Sequence, residues 1–316
     1  MLPLISPLPA LSLNSPPSTP NFPYLPLQTY FLISLSGALA CALTHLTVVP
    51  LDVLKTLRQT SSSSKPSLFS GSLPTVLGYS FYGLTVYPTY NLLLRYLPTI
   101  FIHLTPQDSS LISGALAACV ACVGLAPMEA IRIRTVSDPL TYENLNIKDR
   151  AILAGGTKEL YRGLPPLLIR QVCFGTVKFA AFEYLLSVVL ESEVFGWTER
   201  GGWVASLAAG VGAGLVGSIV SQPADAVLTW LGGGEGERED LVGGMMEMLE
   251  KRGVKSLTKG GGERLAWAGF IIGAQFALYD EIRGRAGVGE EGIKQAVAEA
   301  MKVKEAVGGT GIGGPF

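Results

Sequence analysis

Three short segments place a carboxylate two residues after a proline: Pro50-Leu51-Asp52, Pro127-Met128-Glu129 and Pro223-Ala224-Asp225. In the first two a base follows three residues later, Lys55 and Arg132; in the third that position is Leu228. Helix residues three apart share a face, so each acid stands beside its own base and both can reach a partner helix. A proline inside a helix removes a backbone hydrogen bond and kinks the axis. Three such ends meeting at one axis can exchange ion pairs and close a passage. Gln59 sits one turn beyond Lys55 on the same face. A second set of residues could hold an anion. Arg170, Phe174 and Lys178 are spaced by four, with Gln171 seven residues before Lys178, and Arg264 and Gln275 are eleven apart on another segment. Arginine suits bidentate contact with an oxyanion and lysine a point-charge contact. The plainer alternative is that Arg170 and Lys178 run their stems along lipid and hold their charges at the interface. His45, seven residues before Asp52, is on the axial face too, either as a proton-binding group or as a packing residue.

The elements that must position these groups are apolar. Of 316 residues 48% are apolar and 16% charged, with a net charge of −1. A soluble domain carries nearer a quarter charged residues, and a neutral chain has no long-range attraction for nucleic acid, so no such partner is expected. Six apolar stretches, roughly 30–57, 74–98, 110–135, 163–190, 203–231 and 264–283, are each near the ~20 residues needed to cross a hydrocarbon core. The fold class is therefore an all-α membrane protein with six transmembrane helices, membrane lipid around it and both termini on one side. Prolines and charges within the spans must face an interior or a water-filled cavity. Small residues among them allow close helix approach.

The spacing repeats three times. Gly37, Gly114 and Gly210 each stand thirteen residues before Pro50, Pro127 and Pro223, and Gly71, Gly163 and Gly260 each stand twenty before Asn91, Glu183 and Asp280. The unit is a helix pair, and its repetition marks an array. The expected organisation is a disordered, uncharged leader over 1–29, repeats over 30–100, 108–192 and 202–285, and a flexible tail over 286–316. Connectors near 147–160 and 240–252 are helix-compatible. Cys119 and Cys122 form a C-x-x-C pair; with no second pair nearby, packing is the plainer reading than metal or redox chemistry. No activated nucleophile, phosphate-binding loop or metal cluster is visible, so neither an enzyme nor a cofactor is expected.

The pattern P-x-[DE]-x-x-[KR] closing each odd helix resembles that of the mitochondrial carrier family, over about residues 30–285. The resemblance implies three pseudosymmetric helix pairs around a central cavity, opening alternately to two sides of the mitochondrial inner membrane, in a monomer. It implies a matrix gate of Asp52, Lys55, Gln59, Glu129, Arg132 and Asp225, with Asp52 paired to Arg132 and Asp225 to Lys55. An outer gate would use Glu183, Asp280 and Arg283. Gln222-Pro223-Ala224-Asp225-Ala226-Val227-Leu228, with no third base, is similar to the phosphate-carrier branch. Thr44-His45-Leu46-Thr47-Val48-Val49, Arg170-Gln171 and Lys178-Phe179-Ala180-Ala181-Phe182-Glu183 agree with it. That likeness implies inorganic phosphate moved with a proton, or against hydroxide, by Thr44, His45, Arg134, Arg170, Gln171, Lys178, Arg264 and Gln275. The chain departs from the branch at Val86-Tyr87-Pro88-Thr89-Tyr90-Asn91, where a cavity lysine and a gate acid are lost, and at Ala118 and Cys122, where the third helix otherwise bears acids. Two alternatives follow: a carrier of the same fold for another small solute, or a carrier-derived scaffold that no longer transports.

Overall fold

The computed structural model describes residues 25–60, 65–101, 103–191, 202–233, 236 and 240–288. Six long helices carry the fold: α1 (Leu27–Thr60), α2 (Ser72–Ile100), α3 (Pro106–Ser137), α7 (Leu164–Glu191), α8 (Gly202–Gly232) and α10 (Gly261–Arg285). Short helices α4 (Pro139–Tyr142), α5 (Ile147–Leu153), α6 (Gly156–Tyr161) and α9 (Leu241–Arg252) lie in the connectors. The connectors fold because their caps are in place. Asn146 Oδ1 accepts from the Asp149 backbone at 2.9 Å and Asp240 Oδ2 from the Gly243 backbone at 2.7 Å, each satisfying an N–H that the helix start leaves open.

The long helices contact one another in a closed cycle: α1 with α2, α2 with α3, α3 with α7, α7 with α8, α8 with α10, and α10 with α1. By length and composition, α1, α3 from Leu111 and α8 from Ala208 are apolar enough to cross a membrane. The partner helices share the same apolar exterior. Leu35, Leu39 and Leu43 are exposed on α1 at four-residue intervals, Leu73, Leu77, Phe81 and Leu84 on α2, and Phe270 on α10. Large apolar side chains facing outward all round a bundle are what a lipid environment demands and what water would penalise. The α1 helix begins inside the segment expected to be leader; residues 1–24 and 289–316, which hold the rest of that leader and most of the tail, lie outside the described residues.

The threefold spacing has a physical origin at the starts of α2, α7 and α10. Gly71 lies against Arg132, Gly163 against Leu228, and Gly260 against Lys55. Each even helix thus begins on the third residue after the acid of the next odd helix in the ring. A β-carbon at Gly71 would come within 3.1 Å of Arg132 Cγ, one at Gly163 within 2.9 Å of Leu228 Cδ1, and one at Gly260 within 3.0 Å of Lys55 Cγ and 3.1 Å of its carbonyl. Gly71 and Gly260 also have φ of 77° and 75°, where a side chain is strained. Gly260→Ala is expected to destabilise the protein by about 1–3 kcal/mol, from left-handed backbone and crowding together. Gly262 is in the same helix start, but a β-carbon there would meet nothing within 4 Å. Gly262→Ala is therefore expected to be neutral or stabilising by under about 1 kcal/mol. Thermal unfolding of the two variants in detergent checks the contrast.

Candidate functional site

The odd helices bring their carboxylates to one level inside the ring, and Asp225 is the centre of what forms there. It is fully buried. Lys55 Nζ lies 3.2 Å from its Oδ2, Arg170 Nη1 2.9 Å and Arg264 Nη1 2.7 Å from its Oδ1. Gln59 Nε2 donates to it at 3.0 Å. Thr229 Oγ1 donates to Gln59 Oε1 at 2.7 Å, which turns the amide so that its NH2 faces the carboxylate. Four helices, α1, α7, α8 and α10, are tied at one carboxyl group.

Around Glu129 the arrangement differs from the expected pairing. Arg132 Nε and Nη2 donate to its two oxygens at 3.0 and 2.9 Å, and Arg170 Nη1 stands 3.7 Å away. The expected Asp52–Arg132 pair is therefore not made; among the described residues Asp52 is left with Lys55 of its own helix at 3.7 Å. The third repeat carries Leu228 where the first two carry a base, so it has no cation to offer Glu129, and a buried carboxylate without a partner is costly. Arg132 turns back to it in a bidentate fork, and Arg170 spans the remaining gap to Asp225. One missing base is thus absorbed by two arginines, one from an even helix.

Over this cluster lies a cavity of ≈ 190 Å³ lined by His45, Asp52, Lys55, Tyr79, Arg170 and Trp267 among others, room for several waters or a small ion. Gln171, Arg264 and Gln275 also line it, so the structure brings five of the expected solute ligands together: His45, Arg170, Gln171, Arg264 and Gln275. His45 is stacked on Tyr79 with ring centroids 3.4 Å apart, and its Nδ1 lies 2.8 Å from the Cys41 carbonyl. A carbonyl only accepts, so the proton sits on Nδ1 and Nε2 is the acceptor. Three buried N–H groups of cavity-lining residues, Arg170 Nε, Arg264 Nε and Trp267 Nε1, have no acceptor among the described residues.

Two expected ligands are elsewhere. Thr44 returns its hydroxyl to the Ala40 carbonyl of its own helix at 2.7 Å. Arg134 is two residues past Arg132, about 200° round the helix by its pitch, and so faces away from the axis. It donates to the Gly232 carbonyl at 3.1 Å, to the Ala154 carbonyl, and reaches Glu159 at 3.4 Å, clamping the end of α8 and the α5–α6 connector to α3. The side chains of Lys178, Glu183 and Asp280 lie outside the described residues. Arg283, of the expected outer gate, is buried with its guanidinium 5.3 Å over the Tyr279 ring. Cys122 is packed in the core with Cys41 and Tyr79, while Ala118 faces the cavity; all four cysteines are unbridged.

Sequence reasoning missed three features. Arg170 and Arg264 belong to the ionic cluster as well as to the cavity. Arg252 of α9 donates to the Gln59 and Thr60 carbonyls at 2.7 and 2.9 Å and covers Trp230 at 4.6 Å, capping the end of α1. Tyr87 stacks on Tyr279 at 3.9 Å. Only the first had a sequence signal, a charge standing within an apolar span.

The model of the family described as "Mitochondrial carrier protein" matches residues 106–193 and 199–287. The chain is 29% identical to the "Probable mitochondrial phosphate carrier protein" of Schizosaccharomyces pombe over 85% of its own length and 94% of the relative's. It is 31% identical to "Mitochondrial substrate carrier family protein N" of Dictyostelium discoideum over 80% and 93%. Identity to "Mitochondrial phosphate carrier protein 3" of Arabidopsis thaliana is 30% over 80% and 73%.

Proposed function

The chain belongs to the mitochondrial carrier family, and from that membership we propose that it moves inorganic phosphate, together with a proton, by alternating access. It is a multi-pass protein of the mitochondrial inner membrane. The observation that carries the solute reading is the charge of the buried cluster. Lys55, Arg132, Arg170 and Arg264 face Asp52, Glu129 and Asp225, all seven buried, which leaves one positive charge over. A net charge inside a membrane is expensive unless something offsets it, so its presence marks a site for an ion of the opposite sign. The charge is monovalent, as is the dihydrogen form of phosphate. The open N–H groups of Arg170, Arg264 and Trp267 suit an ion with several acceptor oxygens. Names of the S. pombe and A. thaliana relatives point to the same solute.

In this reading the cavity is closed on the matrix side by the Asp225 cluster. Phosphate reaching Arg170 and Arg264 competes with Asp225 for the same guanidinium groups. Part of the hydrogen bonding that holds α7, α8 and α10 together is transferred to the solute, and the matrix barrier loosens only when the cavity is filled. The solute thereby lowers the cost of opening in proportion to its different contacts in the two states. Gln171, held by a bond to Tyr82 at 3.1 Å, and Gln275 line the side walls.

The test is uptake of labelled phosphate by liposomes holding the purified protein. Saturable uptake, stimulated by an alkaline interior, is expected; uptake no faster than in empty liposomes would overturn the reading and favour another solute or a scaffold. Trp267→Phe keeps the aromatic edge 5.9 Å from His45 and removes one N–H. A hydrogen bond to a charged acceptor is worth about 1.5–3 kcal/mol, so KM for phosphate should rise about tenfold or more. An unchanged KM in this variant would remove the indole from the solute's contacts.

A further inference from the structure

We propose that the cavity takes an anion that carries a short apolar group, an alkyl phosphonate or a phosphate monoester, as well as phosphate itself. The inference rests on reading Arg170, Arg264 and Trp267 as the ligands of a phosphate-like head, and adds a place for what such a head carries.

That place is the seam between α3 and α7. Near the ionic cluster the seam is filled: Leu125 of α3 and Leu167 of α7 are buried in one apolar core. Further from the cluster the filling stops. Gly114 lies eleven residues before Leu125 and Gly175 eight after Leu167, about 16 and 12 Å along their helices. Both line the cavity, and a β-carbon at either would meet nothing within 4 Å. Glycines at helix crossings in this chain are crowded instead: a β-carbon at Gly78 would fall 2.8 Å from Met128 Cβ, and one at Gly212 2.9 Å from Leu185 Cδ1. Gly114 and Gly175 therefore do not serve close helix approach. They leave room for a group that the protein does not supply.

The walls of that room are apolar. Leu111, Gly114, Ala115 and Ala118 share one face of α3 by their spacing, line the cavity and carry no polar side-chain atom. They span about 10 Å of the helix, enough for a short alkyl chain. On α7, Arg170 and Gln171 precede Phe174 and Gly175 by one turn, and all four line the cavity. The charged and the apolar parts of the wall are thus one turn apart.

The open N–H groups set the orientation. Arg170 Nε, Arg264 Nε and Trp267 Nε1 are buried without an acceptor among the described residues, and only an acceptor satisfies them. An anionic head belongs there, and whatever it carries points along the seam toward Leu111. Inorganic phosphate presents oxygen on every side, so one oxygen would face the α3 alanines and Gly114, which offer it no side-chain donor. An alkyl group in the place of that oxygen removes the mismatch and displaces water that an apolar wall holds poorly.

The experiment measures binding to the purified full chain from the shift of thermal unfolding with ligand concentration. The probes are inorganic phosphate, methylphosphonate, butylphosphonate and octylphosphonate. Each buried methylene strengthens binding about fourfold. Butylphosphonate has three more than methylphosphonate and is expected to bind at least about tenfold tighter. Gly175→Leu fills the room from α7 and should bring that ratio below about threefold. Gly114→Leu should do the same from α3, and serves alone if Gly175→Leu does not accumulate. Equal binding of the methyl and butyl probes by the parent would overturn the inference, as would a ratio unchanged in both variants. Octylphosphonate should gain no more than about threefold over butylphosphonate, because the apolar face of α3 is only about 10 Å long. A gain that continues at about fourfold per methylene would assign the seam to a lipid chain and overturn the soluble solute. The readout needs no transport. Absent phosphate uptake with the butyl advantage intact refutes the phosphate reading alone, and phosphate uptake with no butyl advantage refutes this inference alone.

Discussion

Asp225→Asn is expected to abolish phosphate uptake and to lower the melting temperature by on the order of 10 °C, while Asp52→Asn lowers both by clearly less. Threefold symmetry alone would give the two acids equal weight, because both stand two residues after a helix proline. The partners decide otherwise. Asp225 is fully buried and has Lys55, Arg170 and Arg264 within 3.2 Å, with Gln59 at 3.0 Å. Among the described residues Asp52 has Lys55 alone, at 3.7 Å. Removing one member of a buried ion cluster costs about 3–5 kcal/mol, since the partners are left buried and uncompensated. At about 2–4 °C per kcal/mol for a chain of this class, that gives the melting shift. If the same energy is lost from the state closed to the matrix, transport falls by about two orders of magnitude or more. Asp52 makes one long pair, and an asparagine there keeps an acceptor for Lys55, so its replacement should cost less, about 1–2 kcal/mol. Exchanging charges, Lys55→Asp with Asp225→Lys, should not rescue uptake, because the new lysine would face Arg170 and Arg264. Uptake and melting of these variants check the ranking; equal losses for Asp225→Asn and Asp52→Asn would show that the cluster is not centred on Asp225.

The ring of six helices was legible because its signals are periodic. The Gly ruler of the even helices and the acid positions of the odd ones reflect one contact, made three times, between an even-helix start and the residue three after the acid; the odd-helix glycines share no such contact, since Gly37 meets Tyr87 and Gly83 while Gly114 has nothing within 4 Å. What the spacing could not show is how the network heals a gap. Leu228 could be read as a missing base, but whether Arg132 would reach across to Asp52 or fold back on Glu129 depends on the relative cost of two unpaired carboxylates in one small volume. That is a tertiary quantity. Arg134 failed as a solute ligand for a geometric reason that the sequence did contain. It is two positions from Arg132, and two steps of a helix turn a side chain to the far side. The outer end was least legible. The stacking of Tyr87 on Tyr279 joins residues 192 apart in the chain, and the motif that carries the expected charges offers no hint that a tyrosine of α2 would lie over Gly37.

The same cluster sets the terms for His45, where His45→Gln is expected to remove the dependence of uptake on a pH gradient. Coupling needs a group that gains and loses a proton near working pH while it faces each side in turn, and among side chains the ordinary range of histidine lies nearest to it. His45 lines the cavity, with its Nδ1 proton committed to the Cys41 carbonyl and Nε2 as acceptor. Tyr79 of α2 is stacked on it and Trp267 of α10 stands edge-on. Glu129 and Arg132 of α3 and Arg170 of α7 are the charges that act on it from the facing helices. On α3, Ala118 faces the cavity and Cys122 is packed away from it, so neither position supplies a carboxylate to share a proton. The buried cluster already holds one positive charge over. A proton on Nε2 would make two, which is unfavourable until a monoanion enters beside Arg170. In the proposed transport cycle proton and phosphate should therefore favour each other's binding, and by linkage the favour would be equal in both directions. An alkaline interior should then drive inward uptake by releasing the proton on the far side and with it the anion. In His45→Gln, uptake driven by such a gradient should fall at least about tenfold. Exchange of phosphate for phosphate at equal pH, which needs no net proton movement, should keep a substantial part of its rate, because glutamine retains a donor and an acceptor of similar reach. Equal stimulation by the gradient in the parent and in His45→Gln would assign the proton to another group and leave His45 as a stacking partner of Tyr79.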